Sequence, residues 1–513
     1  MGSYILAHDL GTSGNKAVLF SLDGTFGAGE LYEYPTNYPH PNWVEQDPED
    51  WWKAVCVSTR RLLEKAAVHP SEIAALSFSG QMMGCLPVDK EGKALRPMII
   101  WADTRAGKQA AEMEAALGME NVYRITGHRI GASYQGAKIL WVRENEEDVY
   151  RKTAKVLLAK DYIIWRLTGN YVTDHTDACG TNLFNINTLR WDDDIIKALD
   201  IKRDFFPEPG PSTSQAGTIH REAALATGLL EGTPVISGSG DGSAATVGAG
   251  AVEVGDAYAS MGSSAWVAIC RDKAFFDPQM RTFNWLHPVP GLVTPNGTMQ
   301  AAGFSYNWYG SALSAAEKEQ AVNAGSGPYT VIDAEAEKSP PGSGGLVYLP
   351  YLLGERCPWW NLDARGALIG LSMTTGKGDI SRAIMEGVGF NLKINLDVLE
   401  QCGEIRSMTV IGGGAKGRVW LQILADLWQK ELFLPAYIAD AASLGAAVSG
   451  GVGIGAFKDF TVVRKFNPPQ KVIKPNRELA GRYEKLYEIF LKCYENLKGT
   501  YRDLAAYRRD FTG

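Results

Sequence analysis

One short pattern occurs in both halves of the chain and constrains the fold more than any other feature. Each copy consists of an apolar run, a Gly/Ser turn and a second apolar run: YILAHDL-GTSGN-KAVLF at 4–20 and DAYAS-MGSS-AWVAI at 256–269. Each copy predicts a β-hairpin with a glycine-rich turn. A Rossmann βαβ unit would place a helix after the glycines. The sequence predicts a strand there, so the chain does not open with that unit.

The length of the chain supports two domains. Its 513 residues exceed what a single hydrophobic core usually covers. A similar hairpin near the start of each half is what a two-domain chain with internally similar units would show. We therefore predict an N-terminal domain at 1–252 and a C-terminal domain at 253–513, both of the α/β class, with the boundary near 250–256.

Hydrophobic periodicity and capping residues predict the remaining elements. The helix at 47–67 has Asp47 as its N-cap and Pro48 in its first position. The helix at 378–401 would be capped by Asp379 or Ser381. The other predicted helices cover 107–117, 136–146, 148–155, 159–167, 242–250, 417–430, 440–450 and 476–508. The other predicted strands cover 73–79, 233–240, 407–411 and 431–434.

Charge and composition exclude several classes of protein. The net charge is −7 and no long Lys/Arg run is present, so we expect no nucleic-acid partner. The seven cysteines are scattered without a Cys-x-x-Cys pair, which argues against a structural zinc site and suits a reducing compartment. The N-terminal apolar run is too short for a signal peptide, and no stretch approaches the length of a membrane span. We expect a cytoplasmic protein without a membrane partner.

The first hairpin turn has the chemistry of a phosphate-binding site. A glycine turn lets backbone N–H groups approach phosphate oxygens, and the hydroxyls of Thr12 and Ser13 add donors. Asp9 lies just ahead of the turn, and a carboxylate there suits Mg²⁺, which prefers carboxylate, water and phosphate oxygens. An ordinary β-turn is the alternative. The turn with Gly262 and Ser263 would be a second clamp on the same polyphosphate.

Two further glycine-rich segments follow predicted strands. Asp241 stands in GSGDGSAA at 238–245, where a carboxylate at a strand-to-helix junction could accept the proton of an attacking hydroxyl, or could simply cap the helix. The run Gly412-Gly413-Gly414-Ala415 would allow adenosine to approach the backbone closely, or could be a flexible loop. A Walker A pattern and a protein-kinase glycine loop are both absent from the sequence.

Taken together, these segments resemble the FGGY family of carbohydrate kinases, and most closely its xylulokinase branch. The resemblance runs in order over nearly the whole chain. Its motifs are HDLGTSGNK at 8–16, NWVEQDPEDWW at 42–52, SGQMMG at 79–84, WADTR at 101–105, ITG at 125–127, KILWVREN at 138–145, LAKDYIIWRLTG at 158–169, GSGDGSAATVG at 238–248, MGSS at 261–264, YLLGERCPWWN at 351–361, GALIGLSMTTGKGDISRAIMEG at 366–387 and IGGGAKGRVWLQILAD at 411–426.

The resemblance implies two ribonuclease-H-like, actin-type domains whose cleft closes around ATP and a sugar, and a homodimer. By matching position, Asp241 would be the catalytic base and Asp9 would organise Mg²⁺. The residues implied to bind ATP are Gly11, Thr12, Ser13, Gly262, Ser263, Gly413 and Gly414. The residues implied to shape the sugar pocket are Gln81, Met82, Met83, Asp103, Arg105 and Asp241.

One departure bears on the acceptor. Xylulokinases typically read Gln-Met-His-Gly where this chain has Gln81-Met82-Met83-Gly84. Losing a polar partner for a hydroxyl is a route to changed selectivity. D-xylulose therefore heads the acceptor list, while ribulose, erythritol and ribitol stay open. The rival classes are an actin-like ATPase without a sugar acceptor and a sugar-binding regulator that has lost catalysis.

Overall fold

The computed structural model describes residues 3–511. Residues 1–2 of the predicted N-terminal domain and residues 512–513 of the predicted C-terminal domain lie outside the described part of the chain. The strands of the first half are β1 Tyr4–Leu10, β2 Gly14–Ser21, β3 Phe26–Glu33, β4 Glu45–Gln46, β5 Ile73–Gly80, β6 Leu86–Val88, β7 Met98–Ile99, β8 Lys155–Leu157, β9 Thr173–Asp174, β10 Phe184–Asn185, β11 Arg190–Trp191, β12 Pro209–Gly210, β13 Gln215–Thr218, β14 Pro234–Ile236 and β15 Ser239–Gly240. Its helices are α1 Pro48–Ala66, α2 Gly107–Leu117, α3 Met119–Thr126, α4 Gln135–Asn145, α5 Glu147–Lys152, α6 Ala159–Thr168, α7 His175–Cys179, α8 Asp193–Ala198, α9 Arg221–Thr227 and α10 Asp241–Gly248.

The second half contains a similar mixture of elements. Its strands are β16 Ala257–Met261, β17 Ala265–Ile269, β18 Phe283–Leu286, β19 Val293–Met299, β20 Val347–Leu349, β21 Ala367–Ile369, β22 Ser407–Ile411, β23 Glu431–Pro435 and β24 Pro469–Ile473. Its helices are α11 Gly303–Ala312, α12 Ala315–Asn323, α13 Thr330–Lys338, α14 Lys377–Leu399, α15 Arg418–Trp428, α16 Ala441–Gly453, α17 Val463–Phe466 and α18 Ala480–Phe511.

Each half is built on one large mixed sheet, and the two sheets have the same central order. In the first sheet the strands run β3-β2-β1-β5-β14, with β1 antiparallel to β2 and parallel to β5. In the second they run β19-β17-β16-β22-β23, with β16 antiparallel to β17 and parallel to β22. The two predicted hairpins are therefore the first two strands of equivalent sheets. The spatial order of each unit, 3-2-1-4-5, could not be read from the sequence.

Local predictions agree with most of these elements. Asp47 caps α1, its carboxylate accepting from the N–H of Glu49 at 2.9 Å, as predicted. The predicted helix at 148–155 was wrong at its end, because α5 stops at Lys152 and the chain enters β8 to pair with β6. The cap of α14 was also misassigned. Gly376 is the N-cap, and Asp379 lies inside the first turn, accepting from the Gly376 N–H at 2.9 Å.

Two helices rich in small residues, α10 and α16, join the halves, because each packs against strands of the other half. Helix α16 comes from the second half but packs on the face of β1 and β5, while α10 packs near β16 and β22. The helices cross with almost no space between their backbones. A methyl group on Gly445 would lie 1.9 Å from the carbonyl oxygen of Ala244, and one on Gly248 would lie 1.8 Å from that of Ala441. The two halves therefore meet at a close glycine contact between α10 and α16.

Within residues 3–511, no helix is long and apolar enough to cross a membrane. All seven cysteines are free, and four of them are buried: Cys85, Cys179, Cys270 and Cys357.

Candidate active site

Asp241 lies where the carboxyl ends of the central strands of the first sheet meet. The short strand β15 pairs in parallel with β5, with Gly240 opposite Gly80, and β1 lies on the other side with Asp9 opposite Ser79. Open α/β sheets bind ligands at this edge. The local sequence thus presents one carboxylate at the end of β1 and a second at the start of α10, facing the same space.

The negative charge of Asp9 acts on Asp241. Burial and, second to it, this nearby charge raise the pKa of Asp241 to about 7, against hydrogen bonds that include the Gly242 N–H at 2.7 Å. Burial also raises the pKa of Asp9, while a hydrogen bond from Ser79 at 2.7 Å and the charge of Lys16 lower it. A carboxylate with a pKa near neutrality can accept a proton efficiently at physiological pH.

Asp241 lies at the edge of a cavity of about 210 Å³ between the two halves. Its walls are mainly aromatic and apolar, with a few polar groups, which is the usual character of a small-ligand site. The first half supplies Met82, Met83, Trp101, Tyr134, Asp241, Gly242, Ser243 and Thr246. The second half supplies Tyr258, Ser264, Ala265, Trp266, Phe283, Trp285, Thr294, Asn296, Thr298, Met299 and Arg356.

Only part of the predicted sugar pocket lines this cavity. Met82 and Met83 form its wall together with Tyr134. Gln81 lies outside the lining and donates to Gln46 at 2.7 Å. Asp103 and Arg105 also lie outside it, as a buried ion pair 2.7 Å apart.

The Asp103–Arg105 pair supports the wall from behind. Asp103 also accepts the N–H of Val44 at 2.5 Å, and the Arg105 guanidinium lies 3.8 Å from the centre of the Trp43 ring. Both residues follow Trp101, which faces the cavity and donates its indole N–H to the Thr12 hydroxyl at 2.9 Å. The pair thus holds the segment that carries Trp101, rather than facing the cavity itself.

A second cavity, of about 600 Å³, lies entirely on the second half. It contains four of the predicted ATP-binding residues, Gly262, Ser263, Gly413 and Gly414, together with three aromatic residues, Tyr306, Tyr329 and Trp420. Flat aromatic side chains beside a glycine-rich backbone suit a nucleoside. The glycine run also has a packing role. Gly412 has φ +89°, and a methyl group there would lie 2.6 Å from the Met261 carbonyl oxygen.

The two hairpin turns have matching hydrogen bonds. The Gly11 N–H donates to the Gly14 carbonyl at 3.0 Å, and the Gly262 N–H donates to the Ser264 carbonyl at 2.9 Å. Across residues 3–511, the N–H groups of Thr12, Ser13 and Ser263 donate to no other protein group. Free backbone N–H groups in glycine-rich turns form a concavity that favours anions.

The turn in the second half separates the two cavities. Gly262 and Ser263 line the larger one, whereas Ser264, the next residue, lines the smaller one with Asp241. A group bound at this turn would therefore face both cavities.

The oxygen donors around Asp9 suit a particular kind of metal site. Among the described residues, no group of three or more His, Cys, Asp or Glu side chains could hold an ion by itself. Mg²⁺ does not require one, because it usually keeps several waters and binds one or two carboxylates plus substrate phosphates. One oxygen of Asp9 accepts from Ser79, and Asp9 is close enough to Asp241 for its charge to raise the pKa of that carboxyl. The donor set fits a phosphate-bound Mg²⁺.

Several residues of the site were not singled out from the sequence. Trp266, Trp285 and Arg356 complete the smaller cavity from the second half, and Asp440 pairs with Lys16 beneath Asp9. Arg356 and Trp101 lie in motifs that the sequence analysis recognised, so their motif position was a usable signal. Nothing local distinguishes Trp285 or Asp440, which reach the site only through folding.

Comparisons with known proteins cover nearly the whole chain. The model "FGGY family of carbohydrate kinases, N-terminal domain" matches residues 4–248, and the corresponding C-terminal model matches residues 257–454. A gluconokinase from Bacillus subtilis (strain 168) is 31% identical over 99% of this chain and 99% of its own length. A xylulose kinase from Escherichia coli (strain K12) is 31% identical over 95% of this chain and 98% of its own length.

Solved structures give the same result. The ligand-bound xylulose kinase from Lactobacillus acidophilus superimposes with a TM-score of 0.90 at 27% identity, covering 98% of this chain and 99% of that one. The similarity in fold therefore extends over both halves and the cleft between them.

Proposed function

This chain belongs to the FGGY family of carbohydrate kinases, and from that premise we propose that it transfers the γ-phosphate of ATP to the primary hydroxyl of a small ketose, with D-xylulose as the leading acceptor. The two actin-like domains and the activity of an ATP-dependent sugar kinase follow from the family. The identity of the sugar, the metal and the role of each site residue are proposals.

One observation carries the proposal. A carboxylate whose pKa lies near 7 faces a small cavity, and a free-N–H glycine turn joins that cavity to a larger one with aromatic walls. An acceptor in the smaller cavity and ATP in the larger would meet at the turn of Gly262 and Ser263. This is the arrangement that transfer of a terminal phosphoryl group requires.

The chain's own residues would act as follows. Asp241 accepts the proton of the attacking hydroxyl, and its fixed position at the start of α10 orients the oxygen toward the phosphorus. The N–H groups of Thr12, Ser13 and Ser263 donate to phosphate oxygens as charge redistributes. Phosphoryl transfer has a loose transition state, so positioning and charge stabilisation account for most of the catalysis. The aromatic walls exclude water, which limits hydrolysis of ATP.

Asp9 would hold Mg²⁺, with phosphate oxygens and water as the other ligands. When bound, the ion would neutralise phosphate charge. The ion pair of Lys16 with Asp440 keeps a cation near Asp9 and ties the hairpin of the first half to the start of α16.

The acceptor depends on the wall opposite the base. Met83 offers a thioether where xylulokinases carry a histidine, and its backbone has φ +64° with its carbonyl oxygen held by Lys138 at 3.0 Å. Histidine adopts positive φ more readily than most residues, so it would fit this position. Gluconate is a second candidate, because Arg356 places a cation in the cavity wall that could pair with its carboxylate.

A panel of acceptors in a coupled ADP-release assay tests the proposal. D-xylulose, D-ribulose, erythritol, ribitol and gluconate are compared by kcat/KM with MgATP, for the wild type, Asp241→Ala and Met83→His. We expect D-xylulose to lead, Asp241→Ala to lose nearly all turnover while binding ATP, and Met83→His to favour ketoses further. A higher kcat/KM for another acceptor would replace the D-xylulose assignment, and full turnover by Asp241→Ala would remove the base.

Two further proposals rest on the family resemblance. We propose that the protein is a homodimer, which light scattering coupled to gel filtration would check against a monomer mass of 55.8 kDa. A cytoplasmic location suits an enzyme that consumes ATP, and cell fractionation would check it.

A further inference from the structure

We propose that Thr176 and Asp174, charge-balanced by Lys160, act as positioning residues that hold the backbone segment carrying the catalytic base. The inference rests on the proposed role of Asp241. None of these three residues lines the cavity, and all three are fully buried. They lie under the floor of the site, on β9, α7 and α6.

A chain of hydrogen bonds leads from the base to Asp174. The N–H of Gly240, the residue before Asp241, donates to the Thr176 hydroxyl at 3.0 Å. That hydroxyl in turn donates to Asp174 Oδ2 at 2.6 Å. The Thr176 hydroxyl has a single proton. Because its oxygen accepts the Gly240 N–H, that proton is donated to the Asp174 carboxylate.

A second anchor on the same segment reaches the same carboxylate. The N–H of Gly238 donates to the carbonyl oxygen of Ser212 at 2.9 Å, and the Ser212 hydroxyl donates to Asp174 Oδ2 at 2.7 Å. Both N–H groups that fix the Gly238–Gly240 segment therefore depend on one aspartate. Asp174 also accepts the Thr176 N–H at 2.9 Å, so its orientation is well determined.

The segment needs such anchors because its sequence is flexible. Two of the three residues before Asp241 are glycines, and Gly238 has φ +66°, a region that other residues rarely adopt. Strand β15 is only two residues long and pairs with β5 alone. Without the two anchors, little would hold the direction in which the Asp241 carboxylate leaves the backbone.

The charge balance of the cluster argues for positioning rather than for stability. Lys160 Nζ lies 2.8 Å from Asp161, 2.9 Å from Asp174 and 3.4 Å from Asp177, all of them buried. Burial raises the pKa of Asp161 and Asp177, which makes the ionised forms of these two carboxyl groups less favourable. Buried ion pairs contribute little net stability compared with apolar residues, while they fix geometry.

Lys160 also supports the opposite wall of the site. A methyl group on Gly80 would lie 3.0 Å from the Lys160 Cβ, so the lysine stem packs directly beneath the end of β5. Gly80 pairs with Gly240 and is followed by Gln81 and Met82. One buried cluster thus contacts both strand ends that carry the acceptor side of the site.

The isosteric substitution Thr176→Val and its hydroxyl-retaining control Thr176→Ser test the proposal. Valine keeps the shape but removes the hydroxyl, so Gly240 and Asp174 each lose a partner, whereas serine keeps the hydroxyl. We expect kcat of Thr176→Val to fall about 10- to 100-fold, since a displacement of about 1 Å can cost 10²-fold. The KM for ATP should stay within about twofold of the wild type, because the larger cavity is on the other half. Thr176→Ser should keep kcat within about threefold.

The outcomes separate this inference from the acceptor assignment. All variants are assayed with whichever acceptor the wild type uses fastest, so a failure of D-xylulose alone does not affect the comparison. A kcat for Thr176→Val close to the wild type overturns the proposal, as does an equal loss in Thr176→Ser or a parallel rise in the KM for ATP. If Thr176→Val is isolated unfolded, Ser212→Ala is judged by the same criteria.

Discussion

Replacing Asp241 with asparagine should stabilise the ligand-free protein while abolishing most of its activity. Asparagine has the same shape, and its side-chain oxygen can still accept the Gly242 N–H that Asp241 accepts at 2.7 Å. What changes is the charge. The substitution removes a carboxylate that is partly buried beside Asp9, so the fold no longer has to accommodate two negative groups in one cleft.

The magnitude and its sign follow from the pKa of the carboxyl. In the folded protein the pKa is raised from 3.8 to about 7. Between these values the unfolded chain has released its proton and the folded protein still holds it, so raising the pH destabilises the wild type. About three pH units at about 1.4 kcal/mol each give an upper bound of about 4 kcal/mol. The side chain is partly open to the cleft, and solvent screening reduces the value to about 1–3 kcal/mol.

Urea denaturation of the ligand-free proteins in the presence of a chelator, at pH 4.5 to 8.5, measures the effect. We expect Asp241→Asn and the wild type to be nearly equal at pH 4.5, to diverge up to about pH 7, and to keep a constant difference above it. Turnover should fall by about 10²–10⁴-fold, the usual contribution of a general base. The control is Asp148→Asn, an exposed carboxylate paired with Arg151 at 2.6 Å, whose pKa is lowered. It should leave stability nearly unchanged, because an ion pair between exposed side chains contributes little. A difference for Asp241→Asn that does not vary with pH, or that shrinks as pH rises, would refute the reasoning.

Three other predictions concern the proposed base, the first hairpin turn and the glycine contact between α10 and α16. The kcat/KM for the acceptor should rise with pH, reach half of its maximum near pH 7 and level off about one pH unit higher, because only the ionised Asp241 accepts a proton; a pH–rate profile flat from 5 to 8 would contradict this. Thr12→Ala should raise the KM for ATP about tenfold and loosen Trp101, which donates to the Thr12 hydroxyl at 2.9 Å; unchanged ATP kinetics and tryptophan fluorescence would count against it. Gly445→Ala should destabilise the fold by at least about 2 kcal/mol in urea, because its methyl group would lie 1.9 Å from the Ala244 carbonyl oxygen, whereas Gly481→Ala, a helical position with nothing within 4 Å, should be neutral or slightly stabilising. Equal effects of the two substitutions would show that the helix crossing tolerates more volume than the geometry allows.

Features written in a few neighbouring residues were predictable from the sequence. The hairpins around Gly11 and Gly262, the cap at Asp47 and the strand-to-helix junction at Asp241 all depend on local backbone preference and hydrophobic alternation. The family resemblance added the order of the motifs and the expectation that the first half binds the sugar and the second half binds the nucleotide. Errors arose where two local signals competed, as at Lys155, whose segment reads as helical but pairs with β6.

The tertiary structure determines which residues from distant parts of the chain contact each other. Asp103 and Arg105 belong to a sugar-side motif, yet they turn inward as a buried pair, and Trp101 faces the cavity in their place. Trp285 and Arg356 reach the smaller cavity, at whose edge Asp241 lies, from the second half. Helix α16 leaves its own sheet and packs on β1 and β5, bringing Asp440 to Lys16. Sequence spacing carries no information about these contacts, because they depend on the twist of two sheets and on the closeness of two helices.

The hairpin pattern at 4–20 and 256–269 thus predicted from the sequence alone that a β-hairpin with a glycine-rich turn lies near the start of each half. It could not establish that Ser264 lies on the side of Asp241, or that Trp101, which donates to Thr12, lines the same cavity. Backbone preference is local, since it depends on neighbouring residues. The relative placement of the halves is not, because it is set by the glycine contact between α10 and α16, whose residues lie about 200 positions apart in the chain.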